Sequence, residues 1–172
     1  MKSYPRRVHI GIDPGLHGAV AAIEGDEIVL LADAPLCADG YDRLRMQLLL
    51  HTVKLHTRPW CPRVTIEQQS PRGQGRVSAY TTGMGMGLWL ATIDGVGLRP
   101  ELVEPCDWVR EMVPERPRGV RGKANKAYHV DAAAKLFPEA ELSGPRGGTR
   151  DGRADALLIA EYARRREALG DP

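Results

Sequence analysis

The chain has 172 residues and 18.9 kDa, room for one domain with a proper core and hardly for two. Lys and Arg total 24 against 22 Asp and Glu, a net charge of +2, which excludes a histone-like polycation and an acidic disordered tail. With 42% hydrophobic residues and mean hydropathy −0.33 the composition is that of a globule, and no apolar run approaches the ~20 residues of a membrane span. Residues 1–13 enter a strand pattern too early for a signal peptide. Cys37, Cys61 and Cys106 lie far apart and odd in number, which argues against a disulfide framework or a zinc finger and for a reducing cytoplasm.

Val8, Ile10 and Ile12 alternate on one face of a first strand that Pro14-Gly15 ends. Two further apolar stretches, 18–23 and 27–32, flank the turn Gly25-Asp26, so the first three strands read as an antiparallel meander. Residues 41–56 carry Leu44, Leu48, Leu49, Val53 and Leu55 at helical spacing, and Pro59 and Pro62 end that helix. A short strand at 64–67, a polar glycine-rich segment at 68–75, a helix at 77–94 and a fifth strand at 98–104 follow. The remainder is a short helix at 107–112, a basic loop, a helix at 124–136, a loop at 143–150 and a last helix at 151–169. This order predicts one α/β three-layer domain over 1–172, a five-stranded mixed sheet flanked by helices.

Four acids stand where folding alone gives little reason for them. Asp13 ends the first strand and Glu67 the fourth, and carboxyl ends of strands are where open α/β sheets bind ligands. Asp151 and Asp155, four apart at the start of the last helix, share a face that Leu158 and Tyr162 continue toward the sheet. Taken singly, Asp151 also reads as a helix N-cap and Asp13 as a turn residue. Taken together, four hard oxygen donors without Cys or His point to Mg²⁺ or Mn²⁺, two ions per site, and to phosphodiester hydrolysis.

Charge is also segregated. Residues 101–115 hold five acids against Arg110 alone, while 116–126 hold Arg116, Arg118, Arg121, Lys123 and Lys126 and no acid. That basic, Pro- and Gly-rich run is either a solvated loop or a stripe that follows a phosphate backbone. Gly83, Gly85 and Gly87 inside a helix cost about 1 kcal/mol each relative to Ala, so this helix is expected to meet another backbone closely, in its own sheet or in a partner subunit. The five histidines show no ligand spacing and read as structural or surface residues; His17, near Asp13, is the exception to watch.

Gly11-Ile12-Asp13-Pro14-Gly15 with Gly18-Ala19, Thr65-Ile66-Glu67-Gln68, and Asp151-Gly152-Arg153-Ala154-Asp155-Ala156-Leu157 together resemble the RuvC-type Holliday junction resolvases, closest to the bacteriophage and organellar branch. The likeness extends to Trp108, Lys123, Lys126 and Leu136-Phe137-Pro138, essentially the whole chain. It implies an RNase H-like fold and a homodimer in a bacterial or phage-infected cell that nicks a four-way DNA junction in pairs by metal-activated water. It also implies that Asp13, Glu67, Asp151 and Asp155 are the metal ligands, Asp13 bridging both ions, and that Lys123 and Lys126 contact phosphate near the scissile bond. The sequence departs from the bacterial pattern at Ser70, where an aromatic helps open the junction; Arg72 and Arg76 remain for the DNA backbone. The rival reading is a nuclease of the same fold acting on other branched DNA or on RNA–DNA hybrids. An actin-type ATPase needs a second domain that 172 residues cannot hold.

Overall fold

The computed structural model describes residues 7–57, 61–69, 75–144 and 148–170. Strands β1 (Val8–Asp13), β2 (Ala19–Glu24) and β3 (Glu27–Asp33) form the expected meander, with Gly25 at φ 63° in the β2–β3 turn. A small hairpin, β4 (Leu36–Cys37) and β5 (Gly40–Tyr41), leads into helix α1 (Arg43–His56), which Asp42 caps through the amide of Arg45 at 3.1 Å. Strand β6 (Arg63–Glu67), helix α2 (Arg76–Gly95) and strand β7 (Pro100–Val103) follow, then helices α3 (Pro105–Met112), α4 (Gly122–Leu136) and α5 (Asp151–Ala168). The sheet order is β3-β2-β1-β6-β7, with β1 antiparallel to β2 and parallel to β6, and β6 parallel to β7. The expected five-stranded mixed sheet and its flanking helices are present; the small hairpin was not foreseen.

Two cores lie on opposite faces of the sheet. Ile10, Ile12, Val20, Val64 and Ile66 pack against Met46, Leu50, Trp89 and Ile93 of α1 and α2. On the other face Ala19, Ala21 and Ile23 meet Trp108 of α3, Ala133 of α4 and Leu157 of α5. Because strand side chains alternate, the β1 and β6 residues that leave the first core, Gly11, Asp13, Thr65 and Glu67, all face α5.

Helix α5 lies directly on β1. A Cβ on Gly11 would stand 2.1 Å from the carbonyl oxygen of Ala156, and one on Gly152 would stand 2.3 Å from that of His17. Neither position tolerates a side chain, so these two glycines set how closely helix and strand approach.

The packing decides the faces of two helices. On α1 the buried residues are Met46, Leu50 and Val53, while Leu44, Leu48 and Leu55 remain 65%, 56% and 48% exposed. The helical spacing was real, but it marks two apolar stripes, of which the sheet covers one. Of Gly83, Gly85 and Gly87 on α2, Gly85 alone faces a neighbour among the described residues, and that neighbour is the Tyr41 side chain; Gly83 and Gly87 have nothing within 4 Å, so of the two expected close approaches the one to its own sheet is not made. Among the described residues no helix is long and apolar enough to cross a membrane.

Candidate active site

The sheet register brings the first two acids together. Gly11 pairs with Thr65 and Ile12 with Ile66, so the next step along the parallel strands carries Asp13 and Glu67 to adjacent positions, about 4.8 Å apart across the ladder. The Pro14-Gly15 turn holds Asp13 in place: the Gly15 amide donates to its Oδ1 at 3.1 Å, and Tyr41 Oη donates to the Pro14 carbonyl at 2.7 Å.

Asp151 and Asp155 arrive on α5, whose first turn is tied to the far edge of the meander. Arg150 Nη1 and Arg153 Nε donate to the two oxygens of Asp33 at 2.8 and 2.6 Å, and Arg153 Nη1 donates to the Glu141 side chain and carbonyl at 3.0 and 3.1 Å. Arg153 is buried for this purpose and is a positioning residue that motif spacing alone did not single out.

Each acid gives one oxygen to a protein donor. Gly15 takes Asp13 Oδ1, Trp108 Nε1 takes Glu67 Oε2 at 2.8 Å, Lys126 Nζ takes Asp151 Oδ2, and His129 Nδ1 takes Asp155 Oδ1 at 2.6 Å. Among the described residues the second oxygen of each carboxylate has no such donor, and no three His, Cys, Asp or Glu side chains already stand in ligating geometry. The four side chains nonetheless feel one another. Burial, then repulsion from Asp155 and Asp151, pushes Asp13 up to about 7 against the opposing Gly15 amide. Burial, then Asp13 and Asp155, pushes Glu67 up to about 8. Asp155 is raised by burial despite its bond to His129, and Lys126 is raised by its bond to Asp151. Repelling carboxylates, each with one oxygen open among the described residues and with no soft ligand among them, are a donor set that fits hard divalent cations.

Two clefts flank the acids. One, of about 450 Å³, is lined by Glu67, Trp108, Arg116, Asn125, His129 and Asp155. The other, of about 440 Å³, is lined by His17, Lys126, Arg150 and Asp151 among others, with His17 exposed on its rim. His129 is therefore not an incidental histidine: it is 6% exposed, bonded to Asp155, and edge-on to Trp108 with ring centroids 5.3 Å apart. The one local signal for it was Asn125-x-x-x-His129 on a helix, a spacing that aligns the two on one face.

The basic residues divide. Arg118, Arg121 and Lys123 are exposed, as is Arg76 at the start of α2. Arg116 instead turns inward and donates to Asn125 Oδ1 and to the Val120 carbonyl. Lys126 is paired with Asp151 at the rim of the second cleft. Arg72 and Ser70 lie outside the described residues.

A mixed five-stranded sheet with acids at the ends of two parallel strands and on the helix that crosses them is an RNase H-like α/β architecture. The particular version is the fold of RuvC. The chain superposes on Thermus thermophilus RuvC in complex with a Holliday junction substrate with a TM-score of 0.66 and 18% identity, over 96% of this chain and 98% of that one. Another Thermus thermophilus RuvC structure matches with a TM-score of 0.63 and 20% identity, over 95% and 97%. No family model and no curated protein matches the sequence.

Proposed function

We propose that this chain is a structure-selective DNA endonuclease that resolves four-way junctions. What supports the reading is the mutual repulsion of neighbouring carboxylates, Asp13 with Asp155 and Asp151, and Glu67 with Asp13 and Asp155, on a fold shared with a RuvC that is bound to a Holliday junction. Asp13, Glu67, Asp151 and Asp155 would hold Mg²⁺, for which Mn²⁺ substitutes. The cations supply Lewis-acid polarisation of the phosphodiester and of the attacking water.

The chain's own residues do the rest. Trp108 and His129 hold Glu67 and Asp155 by one oxygen each. Lys126 neutralises Asp151 and stands within reach of an incoming phosphate at the rim of the cleft. A labelled four-way junction, a flap and an RNA–DNA hybrid, each with and without Mg²⁺, test the assignment. Preferential paired cutting of the junction is expected; faster cutting of the flap or the hybrid selects the other nuclease reading.

Arg118, Arg121 and Lys123 provide the duplex-arm contacts. Replacing all three with Ala is expected to weaken junction binding and to flatten the slope of log K against log salt by about 0.9 per lost phosphate contact. Filter binding from 50 to 200 mM salt reads it, and an unchanged slope means these side chains are only solvated.

The working unit is a homodimer, because paired nicks need two clusters and one chain carries one. What supports α2 as the contact is an open apolar face: Val77, Tyr80 and Met84 are 81%, 69% and 42% exposed, and Gly83 and Gly87 leave room for a second backbone. Gly83→Leu or Gly87→Leu is expected to shift the protein toward monomer and leave singly nicked junctions. Light scattering that finds an unchanged dimer with paired cutting moves the interface elsewhere.

A further inference from the structure

Arg116, Asn125 and His129 form a hydrogen-bonded series with only one consistent direction. A guanidinium has donors and no acceptor, so Asn125 must turn its carbonyl oxygen toward Arg116 Nε. The Asn125 amide nitrogen then lies 3.3 Å from His129 Nε2. An NH₂ group can only donate, so Nε2 is the acceptor and the proton of the neutral ring sits on Nδ1. From there it is donated to Asp155 Oδ1 at 2.6 Å. The ring is buried and edge-on to Trp108, whose own Nε1–H holds Glu67.

We propose that Arg116, Asn125 and His129 are a positioning relay: Arg116 orients the Asn125 amide, the amide selects the Nδ1–H tautomer of His129, and His129 fixes one oxygen of Asp155 so that the other faces the reaction. Arg116 is thus an internal anchor of the basic loop, unlike its exposed neighbours Arg118 and Arg121. The catalytic part of this rests on the nuclease reading; the tautomer does not. Outer groups that orient ligating carboxylates are worth 10–100-fold in metal affinity or activity in general, which sets the size of the effect to look for.

Two experiments on the full chain decide it. The first is ¹⁵N–¹H correlation of the His129 imidazole without metal. The Nδ1–H tautomer is expected in the wild type, and Asn125→Asp, which offers Nε2 an acceptor in place of a donor, should move a proton onto Nε2. A wild-type ring protonated on Nε2 overturns the relay, whether or not the protein cuts DNA. The second compares His129→Phe, which keeps the ring against Trp108, with His129→Asn, which restores a donor near the Nδ1 position. Phe is expected to lower kcat about 10–100-fold and to raise the Mn²⁺ concentration that half-saturates the protein, with KM for junction DNA unchanged and with partial recovery in Asn. Arg116→Leu should lower kcat in the same way and leave the salt slope of binding intact. A flattened slope with unchanged kcat makes Arg116 a phosphate contact and removes it from the relay. If wild-type protein cuts no branched DNA, the nuclease reading falls, and the tautomer and Mn²⁺ binding still decide the relay.

Discussion

Asp13→Asn or Glu67→Gln is expected to lower cleavage by at least about 10²–10³-fold while junction binding persists or tightens. On the proposed reading each change removes a negative oxygen donor from a site that would hold cations, and in chelator the loss of a negative charge favours attraction to a polyanion. Single-turnover cleavage beside a mobility-shift titration separates the two quantities. Asp151→Asn and Asp155→Asn should behave alike, and near-wild-type cutting by Asp155→Asn removes that residue from the mechanism. Asp13→Asn and Glu67→Gln should also stabilise the metal-free fold. Asp13 and Glu67 rise from 3.8 and 4.5 to about 7 and about 8 on folding, so between these limits the native state binds more protons than the unfolded one. Stability is therefore complete below about pH 4 as far as these groups are concerned, and it falls as pH rises toward 8. Either amide variant is expected to flatten that fall and to raise metal-free stability at pH 8 by on the order of 1–2 kcal/mol. Thermal melts from pH 5 to 8, with chelator and then with Mg²⁺, check it; Mg²⁺ should restore the wild type selectively, because cations compete with those protons.

Gly152→Ala is expected to destabilise the protein by about 1–3 kcal/mol and to cut activity more than stability. Its Cβ would stand 2.3 Å from the His17 carbonyl oxygen and 2.8 Å from Gly18 Cα, both backbone atoms that cannot swing aside. The relief available is for the first turn of α5 to lift off β1, which carries Asp151 and Asp155 away from Asp13 and strains the Arg153 bonds to Asp33. A shift of about 1 Å there costs on the order of 10²-fold in rate. Gly148→Ala, in the loop before α5, is the control: its Cβ meets nothing within 4 Å among the described residues. Denaturant melts of both variants, with cleavage measured well below each midpoint, distinguish the packing loss from the loss of site geometry. A Gly152→Ala protein as stable and active as the wild type would mean that α5 does not sit this close to β1.

The RuvC fold and the meeting of the acids were legible because both rest on short-range regularities. Alternation along β1 and β6 puts Asp13 and Glu67 on one sheet face, and a four-residue step puts Asp151 and Asp155 on one helix face. A chain of this length has few ways to bring those two faces together. The basic, Pro- and Gly-rich run 116–126 reads as one exposed loop; 116–121 is one, with Arg118 and Arg121 exposed, whereas Lys123 and Lys126 stand on α4.

Local periodicity says that a residue is apolar or basic and which side of its own element it occupies; it carries no information about what the tertiary packing sets opposite that side. Leu44 and Leu48 share helical spacing with buried residues of α1 yet face outward, because the sheet covers only one stripe of that helix. Arg116 matches Arg118 in type and neighbourhood, but only Arg116 finds the Asn125 carbonyl and turns inward. His129 has no ligand spacing in the sequence, since its partner Asp155 lies 26 residues away on another helix and its cover, Trp108, comes from a third. The sequence by itself determined the four acids, the faces they occupy and the sheet that carries them. The packing of α3 and α4 onto α5 alone decided which donors hold those acids in place, because a hydrogen bond between elements depends on the docking of both, and neither element's own pattern contains it.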